Sequence, residues 1–397
     1  MRFLNLQDYE TAARHRLPKA IFGFASHGSE DERTLQANEQ ALNNVALVPR
    51  LMRDVSARNT QCELFGEQRS APFGIAPMGG AALFRQYADL ELATAANTRN
   101  IPFVLSAASS VPLESVTTAA PHTWYQAYIP SNRERIAKLL DRLRQAHVKV
   151  LVITGDVPIP SNRDKDQRLG FSIPLNPTFR LAVDLATHPR WLTNVALRTL
   201  LTQGIPRFEN YGATRGGYIV SPPSEQFRAG RDRLSWDDFS YIRSQWEGIL
   251  ILKGVLHAED AKAAIALGAD GLIISNHGGR QLDSAISTLD ALQHIVPVSE
   301  GKPLIIDGGF RRGVDVLKAL ALGAKFVLLG RPFLYAAAVG GTPAVMHAID
   351  LLQREISIGM GLLGITSLSE LRPEHISFPV LSQPAFPSSP NNQHRIG

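Results

Sequence analysis

Short apolar runs of strand type recur along the chain and alternate with helical patterns. The runs begin at Phe73, Phe103, Trp124, Val150, Gly248, Gly271, Pro303 and Phe326. Between most of them lie segments with helical patterning, such as ADLELATAANTRN and AEDAKAAIALG. Eight strands that alternate with helices predict a fold of the α/β class, a closed parallel (β/α)8 TIM barrel.

One interval between the runs is too long for a single crossover. The fourth and fifth runs start 98 residues apart, at Val150 and Gly248, whereas the other intervals are about 20 to 30 residues. The excess predicts an insertion over residues 171–233 after the fourth strand. A long loop on the carboxyl-terminal face of a barrel typically covers the active site or contacts a partner.

The two ends of the chain differ from the barrel in composition. Residues 1–65 precede the first strand and contain helical patterns, the clearest being SEDERTLQANEQALNNV, so we expect a helical cap. Residues 377–397 are rich in Pro, Ser and Asn, which predicts a flexible tail. The remainder, residues 1–376, is expected to form one domain that includes the cap and the insertion.

Composition excludes several classes of protein. Cys62 is the only cysteine, which excludes a disulfide framework and favours a reducing compartment. The net charge is +5 and the basic residues are dispersed, so nucleic-acid binding is not expected. No secretory leader and no apolar run of about 18 residues is found, which favours a cytoplasmic location.

Polar residues collect where the predicted strands end, which is where barrel enzymes place their chemistry. These residues are Gln126, Tyr128, Thr154, Asp156, Lys253, Ser275, His277, Arg280, Asp307, Gly309, Arg311, Gly330 and Arg331. The motifs DGGFRRG and GR follow the seventh and eighth strands, and glycines with nearby arginines suit a phosphate. A glycine turn with surface arginines would explain either motif alone, but both at successive strand ends favour a phosphate site.

Lys253 and His277 each have a simpler structural explanation. A lysine at the end of an apolar strand can extend to solvent, and a lone histidine is commonly a core residue. Lys253, however, ends the wholly apolar run ILILKG, and His277 lies three residues before Arg280 with Asp156 at another strand end. This combination favours an anion-stabilising lysine and a general base beside an anion-binding arginine.

Two other cofactor classes fit the sequence poorly. The motif GMGLLG follows a helical pattern instead of a strand, so it lacks the context of a dinucleotide site. Histidines and carboxylates are not at metal-ligand spacing, so no metal site is expected. The remaining features suit a phosphate-bearing cofactor and the oxidation of a small carboxylate.

Three stretches identify the family that the chain resembles. SNHGGRQLD, DGGFRRGVDVLKALALGAKFVLLGRPFLYA and WYQAY closely resemble the FMN-dependent L-2-hydroxy acid oxidases and dehydrogenases, such as glycolate oxidase and lactate and mandelate dehydrogenases. The similarity extends from about Tyr9 to Leu371. It implies FMN as cofactor, oxidation of a 2-hydroxy acid to the 2-keto acid, electron transfer to a quinone, another carrier or oxygen, and a homotetramer.

The resemblance also implies roles for individual residues. His277 would accept the proton of the substrate's 2-hydroxyl or 2-carbon, and Asp156 would stabilise the imidazolium. Arg163 and Arg280 would bind the substrate carboxylate, and Tyr128 would hydrogen-bond the reacting oxygen. Lys253 would hold the negative charge of the reduced flavin. The other residues implied to contact FMN are Pro77, Met78, Gly79, Ser106, Gln126, Thr154, Ser275, Asp307, Gly309, Arg311, Gly330 and Arg331.

Departures from the family pattern bear on substrate and acceptor. Phe24 replaces a tyrosine that contacts the substrate carboxylate, and Ala108 stands where glycolate oxidases carry tryptophan. A roomy, apolar pocket would favour an aryl or bulky acid such as mandelate over lactate. Gly79 is typical of members that react poorly with oxygen, which favours a quinone or other carrier, although oxygen stays open.

The insertion supports two interpretations. In HPRWLTNVALRTLLTQG, helical spacing places Trp191, Leu192, Val195, Ala196 and Leu200 on one face, which Thr199 interrupts. Arg190 and Arg198 fall on the other side, together with Leu197 and Leu201. A basic amphipathic helix can lie on the inner face of the cytoplasmic membrane. A lid helix packed on the barrel explains the same pattern equally well.

Two other functions use the same residues. A barrel isomerase acting on a phosphorylated substrate would turn over without an electron acceptor. A non-catalytic FMN or phosphate sensor would bind without being reduced by hydroxy acids, but it has no use for a base beside Arg163 and Arg280.

Overall fold

The centre of the molecule is a sheet of eight parallel strands. The computed structural model describes residues 2–172, 178–220 and 230–378. The strands are β1 Phe73–Ile75, β2 Val104–Ser106, β3 Trp124–Ala127, β4 Val150–Thr154, β5 Ile249–Val255, β6 Gly271–Ile274, β7 Leu304–Asp307 and β8 Phe326–Leu329. Successive strands from β2 to β8 are neighbours, β8 pairs with β1, and a bridge between Ile75 and Phe103 joins β1 to β2. The sheet is thus a closed barrel, which confirms the predicted fold class.

The barrel strands are apolar on both faces because a parallel barrel buries both of them. The inward side chains form a core of their own, comprising Ala76, Val104, Trp124, Val150, Val152, Ile251, Ile273, Ile305, Phe326 and Leu328. A hairpin of Cys62–Leu64 and Glu67–Arg69 reaches the amino-terminal end of this core, where the Phe65 ring lies 5.8 Å from that of Trp124. That end of the barrel is therefore packed, and the open end is the carboxyl-terminal one.

Helices surround the barrel and precede it. They are α1 Leu6–Arg16, α2 Lys19–Ser26, α3 Arg33–Asn43, α4 Ala88–Thr98, α5 Leu113–Ala119, α6 Arg133–Gln145, α7 Asp164–Arg168, α8 Phe179–Ala186, α9 Pro189–Trp191, α10 Arg198–Gln203, α11 Trp236–Gln245, α12 Ala258–Ala266, α13 Thr288–Ile295, α14 Gly313–Ala321 and α15 Arg331–Leu363. Helix α15 is kinked because Gly340 and Gly341 leave the helical conformation.

The N-terminal cap is helical only as far as Asn43. Beyond it, Ala46–Leu47 pairs with Ile376–Ser377, and the hairpin described above occupies residues 62–69. The helical pattern in the sequence therefore predicted α3 but not the extended segment that follows it. The predicted flexible tail starts inside this pairing, and its residues 379–397 lie outside the described part of the chain.

The insertion packs a helical segment against the barrel rim. A π-helical stretch, Leu192–Leu197, connects α9 to α10, and Trp191 donates from Nε1 to the Leu83 carbonyl (2.8 Å). Thr199 is buried, whereas Leu200, which helical spacing places on one face with Trp191, is 51% exposed. Leu200 therefore does not share the buried side of Trp191, because the wider π turn displaces the residues that follow it relative to α-helical spacing.

Candidate active site

A cavity of about 440 Å³ opens at the carboxyl-terminal end of the barrel. This volume lies in the usual range for cofactor and ligand pockets. Most of the residues predicted for the site line it, namely Phe24, Pro77, Met78, Gly79, Ala108, Gln126, Tyr128, Thr154, Arg163, Lys253, His277, Arg280, Asp307, Gly309, Arg311, Gly330 and Arg331. The other three, Ser106, Asp156 and Ser275, lie behind the wall, and each is hydrogen-bonded to a lining residue.

His277 and Asp156 form an ion-pair geometry at the ends of β6 and β4. Nδ1 of His277 is 3.2 Å from each carboxylate oxygen of Asp156. Burial lowers the pKa of His277 below its usual value, and the Asp156 charge opposes that effect. Burial alone would raise the pKa of Asp156, but His277 and Lys253 bring it below its usual value. A neutral imidazole beside a carboxylate can accept a proton and have the resulting charge stabilised.

Lys253 is a buried cation at the end of β5. Its Nζ donates to Oγ of Ser275 (2.6 Å) and lies 3.2 Å from Oδ2 of Asp307. Burial opposes the charge, but Asp307 and Asp156 raise the pKa of Lys253 overall, so the ammonium persists. Among the described residues, the other carboxylate oxygen of Asp307 is buried with no hydrogen-bond partner, so a ligand hydroxyl would satisfy it.

Two arginines bring positive charge to the cavity near His277. Arg280 donates from Nη1 to the carbonyls of Phe24 (2.5 Å) and His27 (2.8 Å), and its guanidinium lies 5.0 Å from the centre of the Phe24 ring. Arg163 donates to Ser161 (3.1 Å), whose hydroxyl binds the Arg280 carbonyl. Burial and the Arg163 charge lower the pKa of Arg280. A bound carboxylate would relieve this repulsion and receive charge-assisted hydrogen bonds.

Tyr128 contributes a phenol to the lining of the same cavity. Burial raises its pKa to about 12, so it stays protonated and can donate a hydrogen bond. Its ring stacks with Tyr211 at 5.9 Å, and the Arg231 guanidinium lies 4.6 Å from its centre. Tyr211, Arg231 and Phe208 also line the cavity, and sequence analysis did not single them out. They lie in the insertion, where no periodic pattern marks them. The aromatic residues that flank the glycines of FENYGATRGGY were the available signal for Phe208 and Tyr211, and Arg231 had none.

A chain of buried polar side chains builds another wall of the cavity, with Gln126 and Thr154 at its surface and Ser106 behind them. Ser106 donates to Gln126 (2.9 Å), and Gln126 donates from Nε2 to Oγ1 of Thr154 (2.8 Å). Gly79 faces Ala108 so closely that a Cβ on Gly79 would lie 2.8 Å from that of Ala108. A flat polar heterocycle fits such a wall, because side-chain donors and acceptors are fixed and the backbone is accessible.

The loops after β7 and β8 carry the predicted phosphate residues. Gly308 and Gly309 have φ of 100° and 87°, a left-handed conformation that favours glycine. Arg311 and Arg331 line the cavity beside them. Arg331 donates from Nε to the Ala25 carbonyl (2.7 Å) and from Nη2 to that of Gly278 (3.0 Å), so it also joins the cap to the His277 loop. This end of the cavity therefore combines two cations with accessible glycine backbone, which suits a phosphate group.

Comparisons with known proteins agree with this geometry. Residues 13–378 match the family model described as FMN-dependent dehydrogenase. An L-lactate dehydrogenase of Ectopseudomonas mendocina is 38% identical over 369 residues, which cover 92% of this chain and 96% of that protein. The structure of the monotopic membrane protein (S)-mandelate dehydrogenase superposes with a TM-score of 0.88 at 34% identity, covering 95% of this chain and all of that one.

A mandelate oxidase with bound (S)-2-phenylpropionate is also similar. It superposes with a TM-score of 0.77 at 32% identity and covers 95% of this chain and 98% of its own. The orphaned oxygen of Asp307, the buried Lys253 and the two-arginine end fit a flavin with a phosphate-bearing chain. The chain therefore belongs to the FMN-dependent dehydrogenase family, the flavoenzymes that oxidise 2-hydroxy acids, and FMN is its cofactor.

Proposed function

We propose that the protein oxidises an L-2-hydroxy acid to the 2-keto acid, with His277 as general base. The observation that carries this proposal is the pairing of His277 with Asp156 at 3.2 Å in a cavity that also contains Arg163 and Arg280. His277 can act as a base whose charge Asp156 stabilises, and the two arginines can bind a carboxylate. This arrangement suits a substrate whose carboxylate is next to the carbon that is oxidised.

The residues would divide the reaction as follows. Arg163 and Arg280 bind the carboxylate, each charge-assisted contact contributing about 1.5–3 kcal/mol. His277 takes the proton from the 2-hydroxyl or the 2-carbon, and Asp156 stabilises the imidazolium. FMN, when bound, accepts the two electrons that leave the substrate. Tyr128 donates to the reacting oxygen and orients it.

The cofactor would be held by three groups of side chains. Lys253 supplies a fixed positive charge beside the ring. Pro77, Met78, Gly79, Ser106, Gln126, Thr154 and Ser275 contact or support the ring wall. Asp307, Gly309, Arg311, Gly330 and Arg331 take the polyol chain and the phosphate. The unpartnered oxygen of Asp307 supports this orientation, because a polyol hydroxyl can donate to it.

An aryl or bulky substrate such as mandelate fits the walls of the cavity. Ala108 presents only a methyl group to the cavity, and the rings of Tyr211, Phe208 and Phe24 supply apolar and aromatic surface. L-Lactate is the second candidate, because the curated relatives carry the name L-lactate dehydrogenase. The ratio of kcat/KM for (S)-mandelate to that for L-lactate decides between them.

The electron acceptor is proposed to be a quinone or another carrier, with oxygen as the alternative. The insertion would bring the enzyme to the surface where such a carrier is dissolved. The segment from α8 to α10 exposes apolar side chains, namely Phe179, Val183, Leu197, Leu200 and Leu201. It also exposes Arg180, Arg190 and Arg198. Apolar and basic residues together suit the interface of an anionic bilayer.

This contact would be peripheral. No helix in the described part of the chain combines the length and apolarity needed to cross a bilayer. The similar (S)-mandelate dehydrogenase is itself a monotopic membrane protein. We propose a cytoplasmic protein that sits on the inner membrane surface through residues 171–233, as a homotetramer whose mass light scattering can measure.

The proposal is tested by mixing the purified yellow protein with L-2-hydroxy acids without oxygen. Bleaching of the flavin absorbance by mandelate or lactate is the expected result. A colourless protein that takes up no FMN, or a yellow one that no hydroxy acid bleaches, would contradict the proposal. Turnover of a phosphorylated substrate without any electron acceptor would instead support the isomerase alternative.

A further inference from the structure

A buried amide pair joins the N-terminal cap to the loop that carries His277. Asn38 in α3 donates from Nδ2 to Oδ1 of Asn276 (2.9 Å), and Asn276 donates from Nδ2 to Oδ1 of Asn38 (2.8 Å). The two residues are 1% and 4% exposed. Neither amide can rotate without leaving a buried polar atom unpaired, at a cost of about 1–3 kcal/mol.

Asn276 uses this pairing to hold the loop in an unusual conformation. His277, Gly278 and Gly279 have φ of 58°, 65° and 74°, and such a left-handed run is uncommon where a residue carries a side chain. Oδ1 of Asn276 also accepts from the Gly279 amide (3.1 Å), so its side chain closes the loop across His277. The amide of His277 is held on the other side by Oγ of Ser275 (3.1 Å).

Asn38 contacts a second loop at the same time. A Cβ placed on Gly308 or Gly309 would lie 3.1 Å from Asn38 atoms, and Oδ1 of Asn38 accepts from the Thr288 amide (3.1 Å). One cap residue therefore touches the loops after both β6 and β7. It does not line the cavity, so it reaches neither substrate nor cofactor directly.

We propose that Asn38 is a positioning residue, which acts through Asn276 to hold the His277 ring against Asp156 and toward the substrate. This inference rests on the proposed role of His277 as the base. It extends the site to the N-terminal cap, which the general-base role alone does not require.

The test measures anaerobic flavin reduction in Asn38→Ala and Asn38→Ser holoenzymes, alone and combined with His277→Asn. We expect the Asn38 variants to reduce the flavin about 10²-fold more slowly, the typical result of misplacing a reacting group by about 1 Å. In the His277→Asn background the same change should have no further effect, because no base remains to be positioned. Serine is smaller than asparagine but still polar. If the Asn38→Ala variant does not fold, Asn38→Ser still allows the comparison between the two backgrounds.

Two further measurements separate positioning from stability. Hydrogen exchange at residues 275–280 should become faster in the Asn38 variants, and the acid limb of the kcat/KM profile should move. The control is Gln353→Ala, which removes hydrogen bonds to Thr60 (3.0 Å) and the Ser70 carbonyl (3.1 Å) far from the loop. It should lower the melting temperature with no change in loop exchange or reduction rate.

The outcomes distinguish this inference from the proposed function. If the flavin of His277→Asn is reduced at the wild-type rate, His277 is not the base and the proposed function itself is overturned. An impaired His277→Asn together with an Asn38 effect of equal size in both backgrounds would overturn only the positioning role. Wild-type rates and loop exchange in the Asn38 variants would do the same.

Discussion

Replacing Asp156 by asparagine should slow substrate oxidation while leaving the fold intact. Both oxygens of the carboxylate lie 3.2 Å from Nδ1 of His277. In the proposed mechanism this carboxylate stabilises the imidazolium formed on proton transfer. A charge-assisted hydrogen bond contributes about 1.5–3 kcal/mol. At about 1.36 kcal/mol per tenfold change, its loss should slow anaerobic flavin reduction roughly ten- to 150-fold.

The same variant has a predicted pH signature. Burial lowers the pKa of His277, and the Asp156 charge and hydrogen bond act in the opposite direction. Asp156→Asn removes the opposing effect, so the pKa of His277 falls further and the imidazole stays unprotonated to lower pH. The acid limb of kcat/KM, which reports the free enzyme's base, should therefore move to lower pH even as the maximal rate falls.

Asp270→Asn provides a matched control. Asp270 accepts from Arg243 (2.9 Å) and from the Leu250 amide (2.8 Å), at the end of the barrel opposite the cavity. Its loss should lower the melting temperature without changing the reduction rate or the pH profile. An unchanged rate in Asp156→Asn, or an acid limb displaced to higher pH, would refute the reasoning.

Three more changes have defined outcomes. Lys253→Met should slow flavin reduction about 10²–10³-fold, as is usual when a preorganised charge is lost. Stopped-flow absorbance measures this rate, and an unchanged rate would contradict the proposed role of Lys253. Ala108→Trp should fill part of the cavity and lower kcat/KM for (S)-mandelate at least about tenfold relative to that for L-lactate. If the ratio of the two kcat/KM values does not change, the substrate does not occupy the space beside Ala108. Replacing Leu197, Leu200 and Leu201 by glutamine should abolish cosedimentation with anionic vesicles while activity in solution persists; retained binding would contradict the membrane proposal.

The barrel was predictable because its signal is local. Each of the eight strands begins within one residue of the apolar run that predicted it, since a strand buried on both faces must be apolar throughout. Lys253 and His277 were identifiable for the same reason, because a polar residue that ends such a run stands out. Their mutual placement followed from the rule that parallel strands end at the same face.

The missed features depend on contacts between distant parts of the chain. Asn38 and Asn276 are separated by 238 residues, and nothing in the local pattern of either indicates the pair. Tyr211 and Arg231 reach Tyr128 because the insertion folds back onto the barrel, which sequence periodicity cannot show. Leu200 was misplaced by a π-helical turn, which leaves no signature in the spacing of apolar residues.

The most direct test of the account compares the wild-type protein with His277→Asn in a single anaerobic mixing experiment. Both proteins should be yellow with equal FMN content, since His277 is not needed to hold the cofactor. An L-2-hydroxy acid should bleach the wild type, and the variant should bleach about 10²–10⁴-fold more slowly, the range for loss of a general base. Equal bleaching rates in the two proteins would contradict the assignment of His277 as the base.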